Sequence, residues 1–433
     1  MTTQIVTVNV TQTIAPAPSE LQRTGCFVSQ GATTLGAGNT ALLTQFSDLA
    51  SILAGAVSIA SATWTANVVT LTTSAPHGIP SSDTVLGVIA GLSVSSLNGT
   101  FSVTSTGTNT LTYTVTGSGS VTTTGATFTL EDVQELVAMA TTFFAQGSQN
   151  AIYVLELGAG TPAQGVTALN TYLANPTIRF YAYLLPNTWA SETTAVTMAS
   201  NHDSTTAQVY FWVSATLANY SSWTGKKSAV VMVEDVNAPV TECSAAAMLW
   251  NALNYNPSNT NKVAPMAFQY VVGVTPFSGN QTVQQQLKTA NANYIGTGAE
   301  GGISNTLILW GVTADGRDYT YWYSVDWVQI NINLSLSNAI INGSNNPINP
   351  LYYNQAGINT LQKVAQGTMN SGVAFGLVLP PVSVQAVSFS TYVTDNPSDY
   401  AIGKYAGLSV TYTPARGFTQ IIFNVNVSDF ALA

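Results

Sequence analysis

From Thr129 to Leu253 the apolar residues switch back and forth between strand period and helix period. This alternation restricts the fold more than any other feature of the chain. Residues 151–157 read as a strand, 166–173 as a helix, 178–185 as a strand, 193–200 as a helix, and 208–214 and 229–233 as strands. Residues 242–253 follow as a helix with Ala245, Met248, Leu249, Ala252 and Leu253 inward. Ahead of this run, Leu130, Val133, Val137, Ala140 and Phe144 form one apolar helix face. Thr129 is the expected N-cap, and Glu131 and Asp132 fall in the first turn, where carboxylates favour the helix dipole. Strands spaced by helices predict a mostly parallel sheet covered by helices.

Composition changes at about residue 62. Residues 62–128 are rich in Thr, Ser, Val and Gly and nearly uncharged, with short strands at 67–72, 84–89, 99–104 and 110–116. Asn98-Gly99 is a turn signal. Regular short strands separated by turns predict a small all-β sandwich or barrel. It lies between two helical patterns, the first at 41–53, so it reads as an insertion.

Further along, strands are expected at 268–274, 306–312, 319–323, 389–393, 409–413 and 420–427, with Ala314-Asp315-Gly316-Arg317 as a hairpin turn. Val283, Leu287 and Ala290 mark a helix, and 358–369 is an amphipathic helix. Residues 328–336 conflict. Val328, Ile330, Ile332, Leu334 and Leu336 keep strand period, while Trp327, Ile330, Leu334 and Ile341 fit a helix. At the N-terminal side Val6, Val8 and Val10 alternate with polar residues until Pro16 and Pro18 stop regular structure. Such a strand, without a partner in its own domain, is a hazard unless another chain pairs with it. Ile421, Phe423, Val425 and Val427 repeat the pattern near the other end.

Only 7% of the 433 residues are charged, against roughly 25% in ordinary soluble domains. With 46% hydrophobic residues this is not disorder. No apolar run approaches the roughly 20 residues of a membrane span. The surface must be built of Thr, Ser, Asn, Gln and Gly, which suits dense packing against copies of itself. The formal charge is −9 and no basic cluster exceeds Lys226-Lys227, which argues against nucleic acid. Met1-Thr-Thr-Gln-Ile carries no secretory pattern, so assembly in a cytoplasm is expected.

The search for chemistry is mostly negative. Cys26 and Cys243 give neither a disulfide framework nor metal-ligand spacing and read as small buried hydrophobes. His77 reads as a turn or surface residue and His202 as a helix-end residue. Gly296 to Gly302 is glycine-rich but lacks the Lys-Ser/Thr of a phosphate loop. Glu131, Asp132 and Glu135 could pair as in glycosidases but are explained as helix-start charge. Asp315 is explained by the turn. The aromatics at 310–327 could form a sugar platform, but a core or subunit interface explains them better.

Four stretches carry a family likeness. They are the helix before Phe143-Phe144-Ala145-Gln146 running into Ala151-Ile152-Tyr153-Val154; Ala245-Ala246-Ala247-Met248 followed by 267–276; Ala292-Asn293-Tyr294 leading to Asp315-Gly316-Arg317 and Asp326-Trp327-Val328-Gln329; and 395–427 with Pro414-Ala415-Arg416-Gly417. In order and spacing the chain resembles tail sheath proteins of contractile-tailed bacteriophages (myophages), in a divergent branch. Ala75-Pro76-His77-Gly78, Asp83-Thr84-Val85 and Leu97-Asn98-Gly99-Thr100-Phe101 resemble immunoglobulin-like modules spliced into phage virion proteins. The resemblance implies helix over 326–341.

It also implies an α/β and α+β multidomain chain. An N-terminal arm spans 1–20, and the α/β core spans 21–61 and 129–325. The inserted all-β, Ig-like module spans 62–128, the C-terminal α+β domain 326–417, and a strand arm 418–433. The implied protein is no enzyme and holds no cofactor or metal. It is a structural virion subunit, assembled in the host cytoplasm, that stacks with itself as hexameric rings around a tail tube. Its further partners are baseplate and tail terminator proteins, and contraction drives the tube through the host envelope. The arm residues Val6, Val8, Val10, Ile421, Phe423, Val425 and Val427 are expected to add strands to neighbouring subunits. Lys363, opposite Ile358, Leu361 and Ala365 on its helix, is the candidate for facing an acidic tube. The alternatives are another tail or baseplate component, or a carbohydrate-binding adhesin or depolymerase.

Overall fold

The computed structural model describes residues 20–147, 150–256, 265–297 and 305–418. It divides into two compact units. Among the described residues the larger holds Leu21–Asn256, 265–323 and 416–418, and the smaller is built on Ser324–Ala415. The expected arms, with Val6, Val8, Val10, Ile421, Phe423, Val425 and Val427, lie outside the described residues.

The larger unit opens with β1 (Gly25–Ser29) and β2 (Thr40–Leu43). Six strands follow: β3 (Val57–Thr65), β4 (Val68–Thr73), β5 (Thr84–Ala90), β6 (Gly99–Gly107), β7 (Thr110–Thr114) and β8 (Thr127–Leu130). Then come α1 (Glu131–Ala145), β9 (Ile152–Glu156), α2 (Pro162–Ala174), β10 (Ala182–Leu184), α3 (Thr193–Asn201), β11 (Tyr210–Ala215), β12 (Ala229–Val233), α4 (Ser244–Leu253), α5 (Gln281–Thr289), β13 (Asn293–Thr297) and β14 (Thr306–Leu309).

Eight of these strands form one sheet in the order β14-β13-β12-β11-β10-β1-β9-β2. It is parallel from β13 to β9 and antiparallel at its two edges. Every residue of β11 and β12 is buried, as in a sheet covered on both faces. One face packs Val28, Tyr183, Phe211 and Val231 against α2, α3 and α5. On the other, Phe27 meets Phe143 of α1 edge to face at 5.6 Å.

The insert is a closed barrel, β3-β4-β7-β6-β5-β8, and not an immunoglobulin-like sandwich. Closure comes from β8, which pairs with both β3 and β5. Val69, Leu71, Val85, Ile89, Val103, Leu111 and Phe128 fill the interior. Gly87 is required there, because a Cβ would collide with the Phe128 ring.

Several expectations fail for local reasons. The helix expected at 41–53 is β2 and a 3-10 turn, Phe46–Ser51. The Asp48 carboxylate takes the N–H groups of Thr44 and Gln45 and turns the chain. Thr129 is not an N-cap. It pairs with Val88 inside β8, and α1 starts directly after Leu130. Residues 268–274 make only an isolated bridge, Tyr270 to Leu307, since Phe268 and Gly273 both adopt positive φ (66° each). Residues 319–323 are helix, opened by Asp318, whose carboxylate accepts from Thr320 N at 2.8 Å.

The helix so opened, α6 (Tyr319–Ser344), includes 326–341 as the resemblance implied and strand period did not. The smaller unit adds α7 (Gln355–Ala374), β15 (Val378–Ala386), α8 (Phe389–Asp395), α9 (Pro397–Ala401) and β16 (Leu408–Pro414). The strand expected at 389–393 is α8, capped by Ser388 accepting from Thr391 N. β15 and β16 pair antiparallel, with a register shift between Leu379 and Ser383 where Pro380 and Pro381 supply no donors.

Candidate interaction surfaces

The residues first considered for chemistry are mostly structural. His77 is buried, its Nε2 at 2.8 Å from Gly107 O while Nδ1 accepts from Ile79 N. His202 closes α3, and burial lowers its pKa. Cys26 and Cys243 are buried free thiols, both pushed up by burial. Most of the aromatic run from 310 to 327 is core, with Tyr319, Trp322, Tyr323 and Trp327 buried and Trp310 and Tyr321 partly buried. Tyr319 and Tyr323 are fully buried and pack on Tyr181, Tyr210, Trp212 and Tyr255. Among the described residues no group of three or more His, Cys, Asp or Glu is placed to hold a metal ion. No described helix is long and apolar enough to cross a membrane.

Glu131 and Asp132 do open α1, but Glu135 is only 6% exposed. It lines a cleft of about 560 Å³ with Glu131, Glu234, Asp235 and Glu242. Glu135 Oε1 accepts from Asn187 N, whereas Oε2 has no partner. Burial, then the charges of Asp132 and Glu131, push the Glu135 carboxyl well up. Burial also raises Glu131 and Glu234. Sequence spacing gave no sign of Glu234 and Glu242 here, because they come from the loop after β12.

In the smaller unit the two-stranded sheet offers one open edge. On β15 the outer backbone groups are capped by α7. Gln362 Nε2 donates to Val384 O (2.8 Å), and Gln366 accepts from Val384 N (2.8 Å) and donates to Val382 O (3.2 Å). The far edge of β16 meets no other strand among the described residues. Lys363 is exposed on α7, whereas Ile358, Ala365 and Met369 are buried. Leu379, Tyr400 and Ile402 are large apolar residues left exposed in the same unit.

No protein-family profile matches the chain. No curated protein sequence matches it either. Solved structures do. The chain is similar to one in the cryo-EM structure of the anti-feeding prophage helical sheath in its contracted state. The TM-score is 0.56 with 12% identity, over 99% of each chain. A chain of the six-fold symmetrised baseplate of the same prophage matches at TM-score 0.54 and 14% identity, over 99% of this chain and 100% of the other. A chain of its contracted-state baseplate matches at 0.52 and 12%, over 98% and 97%. The likeness at these identities is one of fold, and it spans nearly the whole of each chain: this chain shares the fold of those sheath and baseplate chains.

Proposed function

We propose that this chain is a structural subunit of a contractile tail sheath, assembling as stacked rings of itself around a tail tube and shortening to drive that tube through a host envelope. The observation that carries the reading is the full-length match in fold to a chain of a helical sheath structure. The low charge supports it, because a surface built mostly of neutral polar residues suits dense packing against copies of itself. So does the open edge of β16, which offers a row of backbone donors and acceptors to an incoming strand. The alternating residues Val6, Val8 and Val10, and Ile421, Phe423, Val425 and Val427, supply such strands from neighbouring copies. Each hydrogen bond gained contributes roughly 0.5–1.5 kcal/mol, so a few per arm hold subunits together while their bodies repack. Lys363 is the proposed tube contact. Lys363→Glu is expected to slow sheath growth on cognate tubes at low salt, where exposed charges are least screened.

Negative-stain microscopy of the purified chain tests the reading: striated tubes are expected, and a dispersed monomer at high concentration overturns it. The second reading is a sheath-fold component seated at a baseplate, favoured by the two baseplate matches. Closed rings that never lengthen would select it.

A further inference from the structure

The basic residues of the larger unit gather at one end of its parallel strands. Arg23 and Arg179 precede β1 and β10, and Lys226 and Lys227 precede β12. Lys288 ends α5. Arg317 sits in the turn whose Ala314 N donates to Ala229 O, at the start of β12. All of these stand at the amino ends of the parallel strands. The carboxyl ends hold the acidic cleft, lined by residues that follow β10, β11 and β12 and by the start of α1. No basic residue lines it.

At the amino end two guanidinium groups share one aromatic. Arg317 lies 5.0 Å and Arg416 4.8 Å from the centre of the Tyr321 ring, and both side chains are exposed. The acids beside them are already engaged. Asp315 accepts from Thr313, Arg317 N and Trp322, Asp318 from Thr320 and Gly417, and Asp203 from Ser228. At the other end Glu135 Oε2, buried and without a partner, lines the cleft. The cleft mouth carries Leu217, Val236 and Val240, exposed by 50%, 90% and 80%. Burial first, and neighbouring acid charge after it, raises the Glu135 and Glu234 carboxyls there, and no basic residue lines the cleft to offset it.

We infer that copies of this chain join head to tail, the Arg317–Arg416 pair of one entering the acidic cleft of the next and its apolar rim closing around them. The occupant is a second copy because the two ends complement each other in charge and stand at opposite ends of one sheet. Strands of five residues alone separate them by roughly 17 Å, so one chain does not satisfy both. Unlike patches meeting in this way make a heterologous contact, which propagates as a ring or row. The inference deepens the self-assembly reading by naming one contact.

The test uses the full chain with R317E/R416E, exposed positions whose folding is checked by circular dichroism. In sedimentation at low salt the double variant is expected to lose association by roughly tenfold or more relative to wild type. A second variant, E131C/R416C, is oxidised under the same conditions. Native Cys26 and Cys243 are buried, so background linkage is low. A disulfide ladder extending past dimers supports the contact. Linkage that stops at dimers, or none, overturns it, as does unchanged association of R317E/R416E. Tubes of normal length from R317E/R416E would overturn this contact and leave the sheath reading standing. A ladder without tubes would do the reverse.

Discussion

Glu156 ends β9 and gathers the loop after β1. Its carboxylate accepts from Ser29 Oγ (2.7 Å), Gly31 N (2.6 Å), Thr33 N (3.1 Å), Thr33 Oγ1 (2.7 Å) and Gly158 N (2.7 Å). Glu156→Gln turns one acceptor into a donor facing donors. It is expected to cost about 3 kcal/mol, read as a lower midpoint in urea unfolding. Asp132 is one of the titrating residues. Burial, then the charge of Glu131, raises it to about 7. Below pH about 4 the folded and unfolded chains both hold this proton, and between there and about 7 only the folded chain does. Stability therefore falls as pH rises through that window. The thermal midpoint is expected to be lower at pH 8 than at pH 5, and Asp132→Asn to reduce the difference. A midpoint that climbs with pH would contradict the assignment.

Among elements, the barrel invites removal. Its first and last strands pair at Val57 and Phe128, so the chain enters and leaves at neighbouring points, roughly 5 Å apart. Replacing 58–127 by a short Gly/Ser linker should leave the eight-stranded sheet folded, judged by circular dichroism and a cooperative thermal transition. Insolubility would mean that the barrel belongs to the core. The edge of β16 invites the opposite change. Val410→Pro removes a backbone donor from that strand. Val410 faces Val384 in the ladder, and the outward groups of Val384 are already held by Gln362 and Gln366. The variant should stay folded and fail to polymerise, a loss visible by microscopy.

For the whole molecule, assembly is expected to separate from folding. Deleting 1–13, or 418–433, should leave a folded monomer by sedimentation that gives no tubes. Normal tubes from both truncations would sink arm exchange.

Much of this was written in local patterns. Residues 229–233 are β12 as read, 193–200 differ from α3 by one residue, and the all-β character of the insert followed from its turns and its Thr and Val. Residues of one element report their own period, because the covering layer sits at a fixed spacing from them. What local pattern did not carry was decided by partners far away in the chain. Strand period at 328–336 lost to helix, and 319–323 joined it once Asp318 capped the first turn. Thr129 became a strand residue because β5 lay beside it. The acidic cleft needed the loops after three strands to converge on α1, and the gathering of basic residues needed those strands to run parallel. Which residues are apolar and which are charged is written in the sequence, and only the packed sheet gathers the larger unit's basic residues at one end of it.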